Sequence, residues 1–143
     1  MAESATTEFD VLVLGGGSAG YSAALRSAQL GMKVGLVERS KLGGTCLHTG
    51  CIPTKAYLHS AELADEARTA SKYGVNTTLD SIDMAAVKKN KDTIVQGKFR
   101  GLSGLIKMRK IEVIEGEGKL TGPDTVTVDL SLIHISEPTR QVR

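Results

Sequence analysis

Tryptophan is absent from this chain and aromatic residues make up only 3% of it, so any interior must be filled by Leu, Ile, Val and Ala. No run approaches the roughly 18 apolar residues of a membrane span, and the opening MAESATTE has neither a basic start nor an apolar stretch. These absences predict no membrane partner and no signal peptide, with the cytoplasm as the expected location. Charge of one sign is also missing. A formal net charge of +2 is too mild to predict nucleic acid or an anionic surface as partner. Cysteine is limited to two residues, and in a reducing compartment such a pair more often does chemistry or binds metal than staples a fold. A length of 143 residues allows one domain at most.

The chain does contain a dinucleotide-binding pattern. Phe9–Leu14, FDVLVL, reads as a strand buried on both faces of a parallel sheet. Gly15-Gly16-Gly17-Ser18-Ala19-Gly20 follows at once. In such a turn Gly15 allows the tight bend, Gly17 admits a pyrophosphate to the backbone, and Gly20 lets the next helix pack closely, with the phosphates on its N-terminus. Tyr21–Leu30 continues as an Ala-rich helix ended by Gly31, and Lys33–Val37 reads as a second strand. Glu38 closes it about 18 residues beyond Gly20, where an acid bonds a ribose 2′-hydroxyl and repels a 2′-phosphate. A lone G-x-G-x-x-G is weak evidence. Strand, helix, strand and terminal acid in register are much stronger.

The cysteines lie in Gly43–Lys55, GGTCLHTGCIPTK, with Cys46 and Cys51 five positions apart. A continuous helix would separate them by about 7.5 Å along its axis, whereas a disulfide needs Cα atoms roughly 4.4 to 6.8 Å apart. A bridge therefore requires a helix break. Gly50 supplies the backbone freedom for one, and Pro53 suits the first turn of a helix starting near Cys51. There the free amides and Lys55, one turn on, favour a Cys51 thiolate. Cys46 is expected to be the exposed sulfur, open to substrate.

The helix from Cys51 is predicted to run to about Ala70, with Ile52, Ala56, Leu63, Ala67 and Ala70 on its buried face. After a turn region at Gly74–Thr78, Asp83 is placed to cap a second helix reaching about Leu105, with Val87, Ile94, Leu102, Leu105 and Ile106 as its apolar stripe. Its Lys88, Lys89, Lys91, Lys98 and Arg100 read as a solvated face. Ile111–Glu115, Gly118–Leu120 and Thr125–Asp129 form three short runs of a small meander. His48 is expected in a loop and His59 on a helix surface. Their spacing to the cysteines does not match a closed zinc site, so no metal is predicted. From Ser131 the pattern fails, and SLIHISEPTR resembles read-through of an adapter oligonucleotide. Residues 131–143 are therefore expected to be foreign or disordered.

The fingerprint followed by GGTCLHTGCIPTK resembles the flavoprotein disulfide reductases, the class I pyridine nucleotide-disulfide oxidoreductases, and most closely the dihydrolipoamide dehydrogenases. The likeness covers about residues 8 to 130. It implies an α/β fold, an incomplete Rossmann-like doubly wound FAD-binding domain with a small β-meander. It also implies FAD contacts from Gly15, Gly17, Gly20, Glu38, Gly44, Thr45, Lys55 and Gly118, and a redox pair of Cys46 and Cys51. A dithiol yields electrons from sulfur while nicotinamide takes a hydride, so a flavin must mediate. By resemblance, dihydrolipoamide exchanges at Cys46, Cys51 contacts the flavin, and NAD+ is the co-substrate. The full-length form would be a homodimer serving 2-oxo acid dehydrogenase complexes. No second fingerprint for nicotinamide is seen, so residues 1–130 are expected to be the N-terminal part of such an enzyme, inactive alone. Glutathione or mercuric reductases, and a non-catalytic flavin-binding or thiol-redox module, stand as alternatives.

Overall fold

The computed structural model describes residues 6–129 and 140–142, and divides the chain into two compact units, Met1–Gly44 with Gly101–Arg143, and Thr45–Arg100. The first unit is built on three parallel strands, β2 (Val11–Leu14), β3 (Val34–Glu38) and β4 (Glu112–Glu115), in the order β2-β3-β4. Helix α1 (Ser18–Gln29) connects the first two of these. Strand β1 (Thr6–Thr7) pairs in a second sheet with β7 (Arg140–Val142), which also pairs with β6 (Val126–Asp129), itself antiparallel to β5 (Glu117–Leu120).

The central strand β3 alternates its side chains between two cores. Val34 and Leu36 point to one side, where they pack with Ala24 of α1, Ile106 and Ile111. Val37 points to the other and packs with Ile114, Val126 and Val128. This near-continuous apolar strand is buried on both faces, as parallel strands require. The same expectation for Phe9–Leu14 is corrected. β2 lies at the end of the strand order and is only half-buried, with Leu14 48% exposed.

Helix α1 ends as its sequence predicts. Gly31 is left-handed at φ 85°, the Met32 N–H donates to the Ser27 carbonyl and the Gly31 N–H to that of Ala28. That pair of bonds satisfies the last carbonyls in a Schellman closure.

The meander is redrawn by the structure. Its first run, β4, belongs to the parallel sheet, with Gly35 opposite Glu112, and only β5 and β6 form an antiparallel hairpin, Gly118 opposite Val128. Gly116 makes the change of sheet. A Cβ there would lie 2.5 Å from the Asp129 carbonyl oxygen, and its N–H donates to the Glu38 carbonyl at 3.0 Å. Residues 140–142, within the stretch expected to be foreign or disordered, are strand β7; the remainder of that stretch, with His134, lies outside the described residues.

The second unit contains most of α2 (Gly44–His48), all of α3 (Cys51–Thr69) with a 3-10 turn at Ala70–Tyr73, and the start of α4 (Met84–Met108). Asp83 caps α4 as expected: its Oδ1 accepts the Ala85 and Ala86 amides at 2.8 and 3.0 Å. The buried residues of α3 are Pro53, Ala56 and Ala64. Leu63, predicted on the buried face, is 54% exposed, and in α4 Leu105 is exposed while Ile106 is buried. The apolar period marked the right helices but not which apolar residue has a neighbour to cover it.

Candidate functional site

In the first unit the fingerprint forms a tight strand-to-helix turn. Gly15 sits at φ 94°, and its N–H donates to the Val37 carbonyl at 2.8 Å. Gly20 is required by packing: a Cβ there would lie 1.8 Å from the Gly15 carbonyl oxygen. Gly17 differs, because a Cβ would meet nothing within 4 Å. Its backbone is therefore open to an incoming group. The α1 N-terminus has no side-chain cap and no acidic residue in its first turn, so no side chain of the helix itself takes up its first amides.

Glu38 lies at the end of β3, and its carboxylate is held by two backbone groups. Oε2 accepts the Gly16 N–H at 2.6 Å and Oε1 accepts the Ser40 N–H at 2.8 Å. A carboxylate offers about four acceptor positions, so room remains for a hydroxyl donor. The turn at Gly43 and Gly44 folds back on the fingerprint. Gly43 N–H donates to the Gly16 carbonyl at 2.8 Å, and a Cβ on Gly44, at φ 56°, would come 3.0 Å from Gly17 Cα. A cleft of about 260 Å³ at the carboxyl ends of β2 and β3 is lined by Leu14, Gly15, Val37, Glu38, Arg39 and Gly118, among others. This brings together Gly15, Glu38 and Gly118, three of the residues predicted to hold a cofactor, where parallel α/β sheets bind ligands. Gly16, which the fingerprint leaves unspecified, was missed by the sequence reading. A Cβ on it would meet Leu42 at 2.9 Å and the Glu38 carboxylate at 3.2 Å.

In the second unit the predicted helix break is present between α2 and α3. The Thr45 carbonyl accepts the N–H of both Thr49 and Gly50, at 3.0 and 2.7 Å, and α3 then restarts at Cys51. Gly50 has φ −115°, so its part is close approach and not a left-handed conformation: a Cβ would lie 3.0 Å from the Thr45 oxygen and 3.4 Å from Cys46 Cα. The doubled-back chain puts the Cys51 thiol in hydrogen-bond contact with Cys46.

Two expectations are corrected here. Cys46 is half-buried, in α2, and Cys51 is the exposed sulfur. The Cys51 thiol is also raised above its ordinary range, first by the hydrogen bond with Cys46, then by desolvation and the Cys46 charge. The backbone at the helix start and the Lys55 ammonium pull it the other way. The helix start and the lysine are visible in the sequence, but the second sulfur, accepting the Cys51 proton and carrying the negative charge, dominates when both cysteines are reduced. His48 is in α2, its ring edge-on to Phe99 at 5.3 Å, and not in a loop. His59 is on the surface of α3 and meets Glu62 at 3.6 Å. Among the described residues no group of three or more His, Cys, Asp or Glu side chains gathers, and no helix is long and apolar enough to cross a membrane.

A family described as pyridine nucleotide-disulphide oxidoreductase matches residues 9–136. The dihydrolipoyl dehydrogenase of Bacillus subtilis (strain 168) is 50% identical over 117 residues, 82% of this chain and 25% of that protein. The mitochondrial dihydrolipoyl dehydrogenase of Dictyostelium discoideum is 49% identical over 128 residues, 88% of this chain and 26% of that protein. A leghemoglobin reductase of Vigna unguiculata is 41% identical over 128 residues, 88% of this chain and 24% of that protein. The chain thus spans about a quarter of the length of the curated relatives it matches.

Proposed function

Since this chain belongs to the pyridine nucleotide-disulphide oxidoreductase family, we propose that it carries the FAD-binding and redox-dithiol part of a dihydrolipoamide dehydrogenase, an enzyme oxidising dihydrolipoamide with NAD+. The observation that carries this reading is the contact between the Cys46 and Cys51 thiols across the Gly50 break.

FAD suits the residues of the turn: open backbone at Gly17, uncapped α1 amides, and a cleft lined by Gly15, Glu38 and Gly118. Gly17 and the α1 amides would hold its pyrophosphate on the turn that Gly15 and Gly20 make possible, Glu38 a ribose hydroxyl and Gly118 its adenine side, with Gly44, Thr45 and Lys55 as further contacts. When bound, FAD supplies an acceptor for the electron pair of the thiols and a hydride donor for NAD+.

The chain's own part is thiol–disulfide exchange. With Cys46 and Cys51 oxidised, a thiolate of the dihydrolipoamide attacks the Cys46 sulfur, the Cys46–Cys51 bond breaks, and Cys51 leaves as a thiolate. The second substrate thiol, deprotonated, attacks the substrate sulfur of the mixed disulfide. Cys46 is released and the substrate departs as a cyclic disulfide, leaving two electrons on the protein pair. A leaving sulfur departs faster the lower its pKa. The hydrogen bond that raises Cys51 is one its own S–H donates to the Cys46 sulfur, and the charge is that of Cys46 as a thiolate; in the mixed disulfide Cys46 is no longer a thiolate. The helix backbone and Lys55 then act on Cys51 against desolvation alone, which favours its departure.

The test grafts this chain in place of the matching segment of the Bacillus subtilis relative and follows NAD+ reduction by dihydrolipoamide. Turnover is expected, and Cys46→Ser or Cys51→Ser should each abolish it while FAD stays bound. Full turnover in either variant would refute the assignment. The association with 2-oxo acid dehydrogenase complexes and the homodimer belong to the same proposal.

A further inference from the structure

The acid after the second strand is placed to bond a ribose hydroxyl, but its bonds give it a second task. Glu38 Oε2 takes the Gly16 N–H at 2.6 Å, a short, charge-assisted bond. Its other oxygen takes the Ser40 N–H, so both ends of the carboxylate are tied before any ligand arrives. The Gly16 peptide is gripped on its other side too, its carbonyl accepting the Gly43 N–H at 2.8 Å. Behind the side chain, the Glu38 carbonyl is itself held by the Gly116 N–H. The turn between them is Gly15-Gly16-Gly17, and a run of three glycines has more conformational freedom to lose than any other tripeptide.

From this geometry we infer that Glu38 is a positioning residue: through the Gly16 amide it holds the Gly15–Ser18 turn in its phosphate-accepting shape, independently of any contact with a ribose. The inference deepens the FAD reading and rests on it for the ligand. Its consequence is that losing Glu38 weakens binding even of a dinucleotide that has no hydroxyl for the acid to bond. Glutamine cannot reproduce the arrangement, because one of the two positions facing backbone N–H groups would become an NH2 donor.

The experiment compares FAD with its analogue lacking the adenosine 2′-hydroxyl. Calorimetry measures both on the wild-type chain and on Glu38→Gln, and NMR follows exchange of the Gly16 amide in the ligand-free forms. A bond to a charged group leads us to expect about a tenfold loss of affinity for the 2′-deoxy analogue in Glu38→Gln. Exchange of the Gly16 amide should accelerate by about the same factor, with the interior of α1 unchanged. Equal binding of the analogue by wild type and variant overturns the inference, leaving Glu38 a role on the ribose alone. Unchanged Gly16 exchange overturns it as well. If the wild-type chain binds neither ligand, the FAD reading fails, and the exchange measurement decides the positioning role by itself. Should Glu38→Gln melt below the assay temperature, Glu38→Asp carries the same comparison, since it keeps the charge but withdraws the carboxylate by one methylene.

Discussion

At the scale of single residues, the two sulfurs illustrate how a pKa belongs to a state and not to a position. Reduced together, the Cys51 thiol is raised chiefly by its bond to Cys46, and the two protons leave in steps that belong to the pair. Removing the Cys46 thiol should therefore lower the Cys51 pKa. Cys46→Ala is expected to shift the pH profile of Cys51 alkylation by iodoacetamide to lower pH than in the reduced wild type. Adding Lys55→Gln should move it back upward, because the ammonium lowers the Cys51 pKa. A profile unmoved by Cys46→Ala would show that the contact does not control the thiol. Both cysteines and the lysine were legible as a constellation, since spacing and punctuation are local. Which sulfur is exposed was not, because it depends on how deeply the five residues of α2 are packed.

At the scale of elements, boundaries written in side-chain chemistry were readable in advance. Asp83 announces α4, Gly31 closes α1, and α3 starts at Cys51 after Gly50. Asp83→Ala removes one acceptor shared by two amides and should cost about 1 kcal/mol, within a range of roughly 0.5 to 2. Urea unfolding followed by circular dichroism would measure it, and a change within error would mean the cap contributes nothing. The pairing of β4 was not readable. Its sequence EVIE suits a hairpin or a parallel strand equally, and its partner Gly35 lies far away in the chain. The residue that decides is Gly116, where a side chain would run into the Asp129 carbonyl. A turn glycine is easy to spot in a sequence. That it moves the chain from one sheet to another follows only from what surrounds it.

At the scale of the molecule, the first unit depends on one strand with a core on each face. Leu36 is fully buried in one of them, and its truncation should cost about 2 to 5 kcal/mol, depending on how far the cavity collapses. Against the marginal stability of about 5 to 15 kcal/mol usual for a folded protein, Leu36→Ala should lower the melting temperature steeply or abolish cooperative melting. A shift within a degree would show that this core does not hold the sheet. The α/β class and the order strand, helix, strand were legible because apolar β3 and the glycine turn carry them locally. The union of β3 with β4 has a further consequence, for the order of assembly. Gly35 meets Glu112 only after the whole of Thr45–Arg100 has been spooled out between them. β2, α1 and β3 can meet as soon as they leave the ribosome, whereas the third strand must wait for a distant partner and for the entropy of closing a long loop. During synthesis, then, one flank of β3 stays bare until late, and that interval is when a nascent chain of this topology is most exposed to pairing with the wrong strand.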